Sequence, residues 1–242
     1  MNISPDSVVL WQVGPFAVNA TIAFTWAIMA LLTAGSWAVT RRLSTGTEMS
    51  RWQNAVEVLV SGMTGQIREV SRQNPERYLP LVGTLFVFIV VSNLLAVVPG
   101  YQPPTGSLST TSALAICVFV AVPYYGVRER GLAGYLKLYV KPTPLMLPFN
   151  IVGEISRTFA LAVRLFGNIM SGKMIGAILL LVVPLLFPVV MQVLGLLIGL
   201  IQAYIFAVLA MVYIASGTRA HQLKEREEGD APREEDEEKE GG

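Results

Sequence analysis

The sequence predicts an all-α integral membrane protein with five membrane helices and one interfacial amphipathic helix. Its composition is 53% hydrophobic and 14% charged, with a mean hydropathy of +0.54, which is typical of membrane proteins. No charged residue occurs in 7–40, 78–127 or 174–218. Because a membrane helix needs about 20 apolar residues, these stretches have room for one span, for two spans, and for one complete span plus the end of another.

The N-terminal part predicts a short polar loop followed by the first span. Residues 1–15 carry one charge, Asp6, and lack the basic segment of a cleavable signal peptide. The first span is therefore expected to be retained. It covers 16–40 and ends at Arg41 and Arg42, a pair typical of the cytoplasmic side.

Residues 51–73 predict an amphipathic helix that lies in the membrane interface. Ser50 and Gln53 are spaced as in a capping box, which favours a helix start here. Apolar residues then recur at three- and four-residue steps, at Trp52, Val56, Leu59, Met63, Ile67 and Val70. Charged residues occupy other parts of the helical wheel. A soluble-domain helix would show the same pattern, but a position between two spans favours the interface.

Two further spans are predicted at 78–98 and 107–127. The prolines and glycines of 99–106 cannot continue a helix, so they predict a turn between these spans. Charged residues return after the third span, and the segment 128–144 is therefore expected to be a loop.

The last two helices are predicted to be long, tilted and paired as a hairpin. They cover 149–182 and 189–216, and the prolines of 183–188 indicate the reversal. Gly195 and Gly199 are spaced as a small-xxx-small pair, which permits close contact with another helix.

The basic residues predict the orientation in the membrane. All but three of the 18 lysines and arginines lie in 41–77, in 128–141 or after residue 218. Five spans, with the N-terminus outside and the C-terminus in the cytoplasm, place these segments on the cytoplasmic side. Residues 1–218 are thus interpreted as the membrane domain and 219–242 as a charged, disordered tail.

Arg164 is the candidate functional centre. A charge near the middle of a bilayer costs at least about 3 kcal/mol, so it requires a partner, water or a function. The nearest acid in sequence is Glu154, roughly 15 Å away along a helix. Since no other span contains an acid, we expect the counter-charge to come from another polypeptide.

Other polar residues accompany this arginine. At 100° per residue, one face of the fourth span carries Arg157, Arg164, Asn168 and Ser171. Gln202 is the deepest strong polar group of the last helix. Such residues either line a polar path or join helices by hydrogen bonds.

Three residues have alternative interpretations. Glu154 either belongs to a path or pairs with Arg157 near the cytoplasmic interface. Lys173 points roughly away from Arg164, and it either lines a path or reaches toward the outer surface. Cys117, the only cysteine, supports neither a disulfide nor a thiolate metal cluster and is predicted to fill the core.

Three motifs resemble subunit a of F-type rotary ATP synthases. They are RLFGN at 164–168 followed by Gly172, LIQAYIF at 200–206, and SNLL at 92–95 with the prolines that follow it. The resemblance covers about 77–216. The arginine and glutamine motifs together are highly specific for this family.

The resemblance implies a non-catalytic stator subunit that translocates H⁺ or Na⁺ in the bacterial inner membrane. It implies that Arg164 faces the carboxylates of a c-subunit ring and that Asn168 and Gln202 line the ion path. Glu154 matches an acid near the cytoplasmic half-channel, and Lys173 and Ser171 are further candidates for the path. The expected partners are the c ring, b-type peripheral stalk subunits and lipid, with no nucleic acid, cofactor or metal.

Two positions depart from the family pattern. Lys173 stands where many members have a glutamate, and Gly195 stands where a histidine or glutamate is usual. The outer half-channel therefore lacks its usual titratable pair, so either Lys173 substitutes or water lines the path. These departures would suit a divergent, sodium-translocating branch.

Two other classes remain open at this point. A secondary transporter or channel could bind an anionic substrate with Arg164, although the sequence shows no inverted repeat that would favour it. A purely structural membrane subunit is the other class. The chain has no phosphate-binding loop of the Gly-x₄-Gly-Lys-Ser/Thr kind, so we do not expect it to hydrolyse ATP itself.

Overall fold

The protein is a bundle of long helices. A computed structural model describes residues 9–13, 16–41, 51–71, 75–98, 100–140, 146–182 and 187–219. Five helices in this part of the chain are long and apolar enough to cross a membrane, which confirms the predicted all-α membrane fold. The predicted tail, apart from Arg219 at the end of the last helix, lies outside the described residues.

The N-terminal region contains a short hairpin that the sequence interpretation missed. Strands β1 (Val9–Val13) and β2 (Phe16–Asn19) pair antiparallel. The prediction of a loop over 1–15 and of a span beginning at residue 16 was therefore wrong at this boundary. Helix α1 (Ala20–Thr40) begins only where the strand pairing ends.

Helix α2 (Arg51–Ser71) matches the predicted amphipathic helix closely. Its Ile67 side chain is buried against neighbouring helices, and the Tyr204 hydroxyl donates a 2.8 Å hydrogen bond to Gln66 Oε1. The apolar stripe thus faces the bundle at this end of the helix. The location of α2 in the membrane interface stays a prediction.

The predicted second and third spans form a hairpin, but its second helix continues beyond the predicted end of the third span. Helix α3 (Leu79–Leu94) leads through 3₁₀ turns at Leu95–Val97 and Pro104–Gly106 into α4 (Leu108–Val140). The predicted loop over 128–144 was wrong as far as residue 140. Gly131 has a φ of 72°, so the chain bends there and then resumes a helix.

The final hairpin consists of α5 (Met146–Val182) and α6 (Phe187–Arg219). Both helices begin two or three residues earlier than predicted, and residues 183–186 lie outside the described part. The main core forms where α3, α4, α5 and α6 meet, around Ile89, Val118, Leu165, Ala203 and Phe206.

Cys117 does not fill the core, contrary to the prediction, because it is exposed on α4. A thiol is apolar enough to face acyl chains as well as a protein interior. Composition cannot distinguish these two environments in a membrane helix.

Candidate functional site

The polar stripe of α5 lies at the exposed edge of the helix face that packs in the bundle. Leu161 and Leu165, about 70° round the helix from the stripe at 100° per residue, are 1% and 0% exposed. Arg157 and Arg164 are exposed. Because the bundle anchors α5 through its leucine face, the fold presents both guanidinium groups outward, on a surface that a neighbouring subunit could cover.

Arg164 has no partner in this chain as far as the structure describes it. No hydrogen bond or ion pair joins it to another described residue, as the sequence interpretation expected. About two turns farther along, the Ser171 hydroxyl donates a 3.1 Å hydrogen bond to the Asn168 carbonyl. Ser171 is thus bonded within its own helix, while the half-buried Asn168 side chain stays beside Arg164 on the stripe.

The N-terminal part of the stripe contacts α6. The Arg157 guanidinium lies 6.0 Å from the centre of the Tyr213 ring, at the outer limit of a cation–π contact. Glu154 is half-buried one turn before Arg157, and its backbone carbonyl accepts a 2.9 Å hydrogen bond from Thr158. The structure therefore groups Glu154, Arg157 and Tyr213 at one end of the α5–α6 contact.

Gln202 lies inside the bundle and is only 6% exposed. Its Nε2 atom is buried and donates no hydrogen bond to any residue that the structure describes. No hydrogen bond joins Gln202 to Arg164 in this arrangement. A buried amide donor without an acceptor costs roughly 1–3 kcal/mol, so Gln202 is a site that water or a transported species could satisfy.

A second buried amide, Asn93, was missed as a site residue. It is 5% exposed, and its Nδ2 atom donates a 2.9 Å hydrogen bond to the Gly199 carbonyl. Its Oδ1 atom accepts a 3.2 Å hydrogen bond from the Thr105 hydroxyl. An asparagine at the end of an apolar span was the available signal. Its partner in α6 could not be inferred, because the two residues are 106 positions apart.

Gly199 confirms the expected close helix contact, whereas Gly195 does not contribute to it. A Cβ atom on Gly199 would lie 3.0 Å from the Asn93 side chain, so only glycine lets α3 and α6 approach this closely. No atom lies within 4 Å of the corresponding position on Gly195.

Lys173 packs against the turn between α3 and α4. A Cβ atom on Gly106 would lie 3.0 Å from Lys173 Nζ. In the same turn, burial raises the pKa of the Tyr101 phenol well above its usual value, and a contact with Ser92 opposes this shift. The phenol therefore stays neutral at physiological pH. The turn thus brings the Lys173 ammonium close to the backbone at Gly106.

The two buried amides should respond differently to removal of their polar atoms. Gln202→Leu is expected to leave the free energy of unfolding unchanged or to raise it by up to about 3 kcal/mol, because it removes a buried donor that has no partner among the described residues. Asn93→Leu is expected to destabilise by about 2–4 kcal/mol, because it breaks two hydrogen bonds and crowds Gly199. Thermal unfolding of the purified variants would measure the contrast, and equal losses would contradict it.

These observations define a class: a multi-pass helical membrane protein with an exposed arginine that pairs with none of the residues the structure describes. The part of the chain that the structure describes holds no cluster of three or more metal-ligating side chains. Comparison with known proteins then narrows the class. The ATP synthase A chain family matches residues 22–215.

Curated relatives cover nearly the whole chain. ATP synthase subunit a 1 of Chlorobaculum parvum is 61% identical over 222 residues, which are 92% of this chain and 98% of the relative. ATP synthase subunit a 2 of Acaryochloris marina is 61% identical over 92% of this chain and 95% of its own length. ATP synthase subunit a of Nitrosospira multiformis is 62% identical over 90% and 87%.

The chain belongs to the ATP synthase subunit a family. It is therefore a stator component of the membrane sector of ATP synthase. The resemblance of the sequence motifs is confirmed, and family membership favours this role over a secondary transporter or channel.

Proposed function

We propose that this subunit supplies two ion half-channels and the arginine that separates them. Arg164 faces the carboxylates of a c-subunit ring, and b-type stalk subunits hold the chain stationary. The observation that carries the proposal is the position of Arg164, which is exposed on the outward face of α5 without a bonded partner among the described residues. A guanidinium in a bilayer needs a counter-charge, and a ring carboxylate would supply it.

The mechanism follows from electrostatics. An ion enters through one half-channel and neutralises a ring carboxylate, and the ring then turns through the membrane. Near Arg164 the positive charge favours the ionised, empty carboxylate, so the ion leaves through the other half-channel. The same fixed charge blocks direct leakage of cations between the two half-channels. A guanidinium suits this task because it stays protonated at any ordinary pH.

The polar residues are assigned by their depth. Asn168 and Gln202 are assigned to the ion path near the level of the arginine, Glu154 to the cytoplasmic half-channel, and Lys173 to the outer one. We assign Ser171 to the stripe only. The chain has its N-terminus outside and its C-terminus in the cytoplasm of a bacterial inner membrane, an assignment supported by the positions of the basic residues.

The transported ion is H⁺ or Na⁺. In proteoliposomes that contain the purified complex, ATP-driven transport should occur and the c ring and b subunits should co-purify. If Na⁺ is the ion, ATPase activity rises with added Na⁺, and a Na⁺ ionophore rather than a protonophore collapses the gradient. If H⁺ is the ion, the protonophore collapses it. A complex that binds this chain but transports neither ion would contradict the proposed function.

A further inference from the structure

Lys173 packs against Gly106 in the turn between α3 and α4. A Cβ atom at Gly106 would lie 3.0 Å from Lys173 Nζ and 3.1 Å from Ile169 Cγ2, which is tighter than ordinary van der Waals contact. The α5 side chains therefore occupy the space that any larger residue at 106 would need. Gly106 itself is buried, so the lysine lies along the protein rather than extending freely away from it.

The turn beneath this lysine is rigidly attached to the helix bundle. Thr105, next to Gly106, is completely buried and donates its hydroxyl to Asn93 Oδ1 at 3.2 Å. Asn93 in turn donates to the Gly199 carbonyl of α6 at 2.9 Å. This chain of contacts links α3, α5 and α6 at one level of the membrane. The Lys173 ammonium is thus held at a fixed place and not on a mobile loop.

In the proposed orientation, this contact lies nearer the outer side of the membrane than Arg164 does. Lys173 follows Arg164 by nine residues on α5, a distance of about 13 Å along the helix. The α3–α4 turn lies on the side opposite the basic segments, which is the outer side in the proposed orientation. An ion from outside must pass the level of Lys173 before it reaches Gln202 or Arg164.

We propose that Lys173 is a specificity-determining residue of the outer half-channel: a tethered ammonium, seated on Gly106, that opposes the entry of the transported cation. This inference rests on the proposed function. It adds that Lys173 sets the outside concentration of the coupling ion at which ATP synthesis is half-saturated. A like charge held in a medium of low dielectric disfavours a nearby cation much more than it would in water. Where a carboxylate would attract the entering ion, this chain has a charge of opposite sign.

The test measures how ATP synthesis depends on the luminal ion. Proteoliposomes of the whole complex would be loaded with graded NaCl at fixed pH or with graded pH at constant Na⁺, under a clamped membrane potential. Lys173→Met is expected to lower the half-saturating concentration of the coupling ion about fivefold or more, with an unchanged maximal rate. Lys173→Arg keeps the charge and should retain the wild-type requirement.

A second variant tests the contact between Lys173 and Gly106. Gly106→Ala should displace the ammonium and lower the half-saturating concentration while Lys173 is present. In the Lys173→Met background the same substitution should have no further effect, which is the non-additivity expected of contacting residues. Gly176→Ala is the matched control, because it adds the same methyl group one turn from Lys173 on α5, with no atom within 4 Å of it.

The outcomes separate this inference from the function on which it rests. An unchanged or raised half-saturating concentration in Lys173→Met would overturn the role of the lysine. So would a loss of assembled complex in Lys173→Met with a normal ion requirement in Gly106→Ala, since this would show a purely structural contact. Coupled transport that survives Arg164→Ala would instead overturn the proposed function.

Discussion

Replacing Arg164 by alanine is expected to reduce ion-coupled ATP synthesis and ATP-driven pumping by about 100-fold or more, while the complex still assembles. The loss follows because the ring carboxylate would no longer be held ionised, and a change of a few kcal/mol in this step is worth at least that factor. Assembly should be preserved because the exposed arginine is bonded to no other described residue. ATP synthesis in proteoliposomes and native gels of the complex would measure the two effects.

Arg157→Ala is the matched control for this substitution. It removes the same side chain from the same face of α5, two turns toward the N-terminus of the helix, where its guanidinium lies over Tyr213. We expect it to retain at least about half of the activity, because a marginal cation–π contact contributes only about 0.5–1 kcal/mol. Normal coupled synthesis in Arg164→Ala would refute the central role of that residue.

Gly199→Ala is expected to destabilise the subunit by about 1–3 kcal/mol, the usual cost of overpacking a close contact. The added methyl group would lie 3.0 Å from the Asn93 side chain and would disturb the 2.9 Å hydrogen bond that joins α3 to α6. Within a helix, alanine is otherwise favoured over glycine by up to about 1 kcal/mol. The sign of the effect therefore depends on the neighbour.

Gly195→Ala provides the comparison, since it lies one turn away with no atom within 4 Å of the new Cβ. It should be neutral or slightly stabilising. Thermal unfolding of the two purified variants would measure the difference. The additional substitution Asn93→Gly should relieve the clash in Gly199→Ala, since it removes the Cγ, Nδ2 and Cβ atoms that lie within 3.1 Å of the new methyl group. Equal stability of the two single variants would show that the close α3–α6 contact does not limit the fold.

Charge segregation predicted the number of spans well because a bilayer excludes charge over a fixed thickness. The same reasoning failed between residues 128 and 140, where charges suggested a loop. There Gly131 bends the chain, and Tyr135 packs over Gly126. A tertiary contact of this kind can stabilise helix in a polar segment. The hydrophobicity of the sequence gives no sign of it, because the segment is not an apolar stretch of span length.

The N-terminal hairpin shows a different reason for error. Two short apolar segments separated by Gly14 and Pro15 are the ordinary pattern of a β-hairpin. The expectation of a membrane span starting at Phe16 concealed it. In this case the local signal was present, and the global composition outweighed it.

The site divides in the same way. The lack of a carboxylate partner for Arg164 among the described residues was predicted, because the sequence places no acid near it in the spans. The external partner that this charge needs stays a prediction. The contacts of Asn93 and of Lys173 could not be predicted from the sequence. Each depends on a glycine that is distant in the chain and close in the fold, Gly199 for Asn93 and Gly106 for Lys173.

The length of α5 has a further consequence for bilayers of different thickness. Its 37 residues span about 55 Å, whereas the hydrocarbon layer is about 30 Å thick, so the helix fits within the layer only if it is steeply inclined. Arg164 is the central residue of Met146–Val182. If hydrophobic mismatch changes the inclination, the ends of the helix move up and down while the guanidinium stays near the same depth. The charge that we propose meets the rotating ring thus lies at the pivot, where changes in lipid chain length disturb it least.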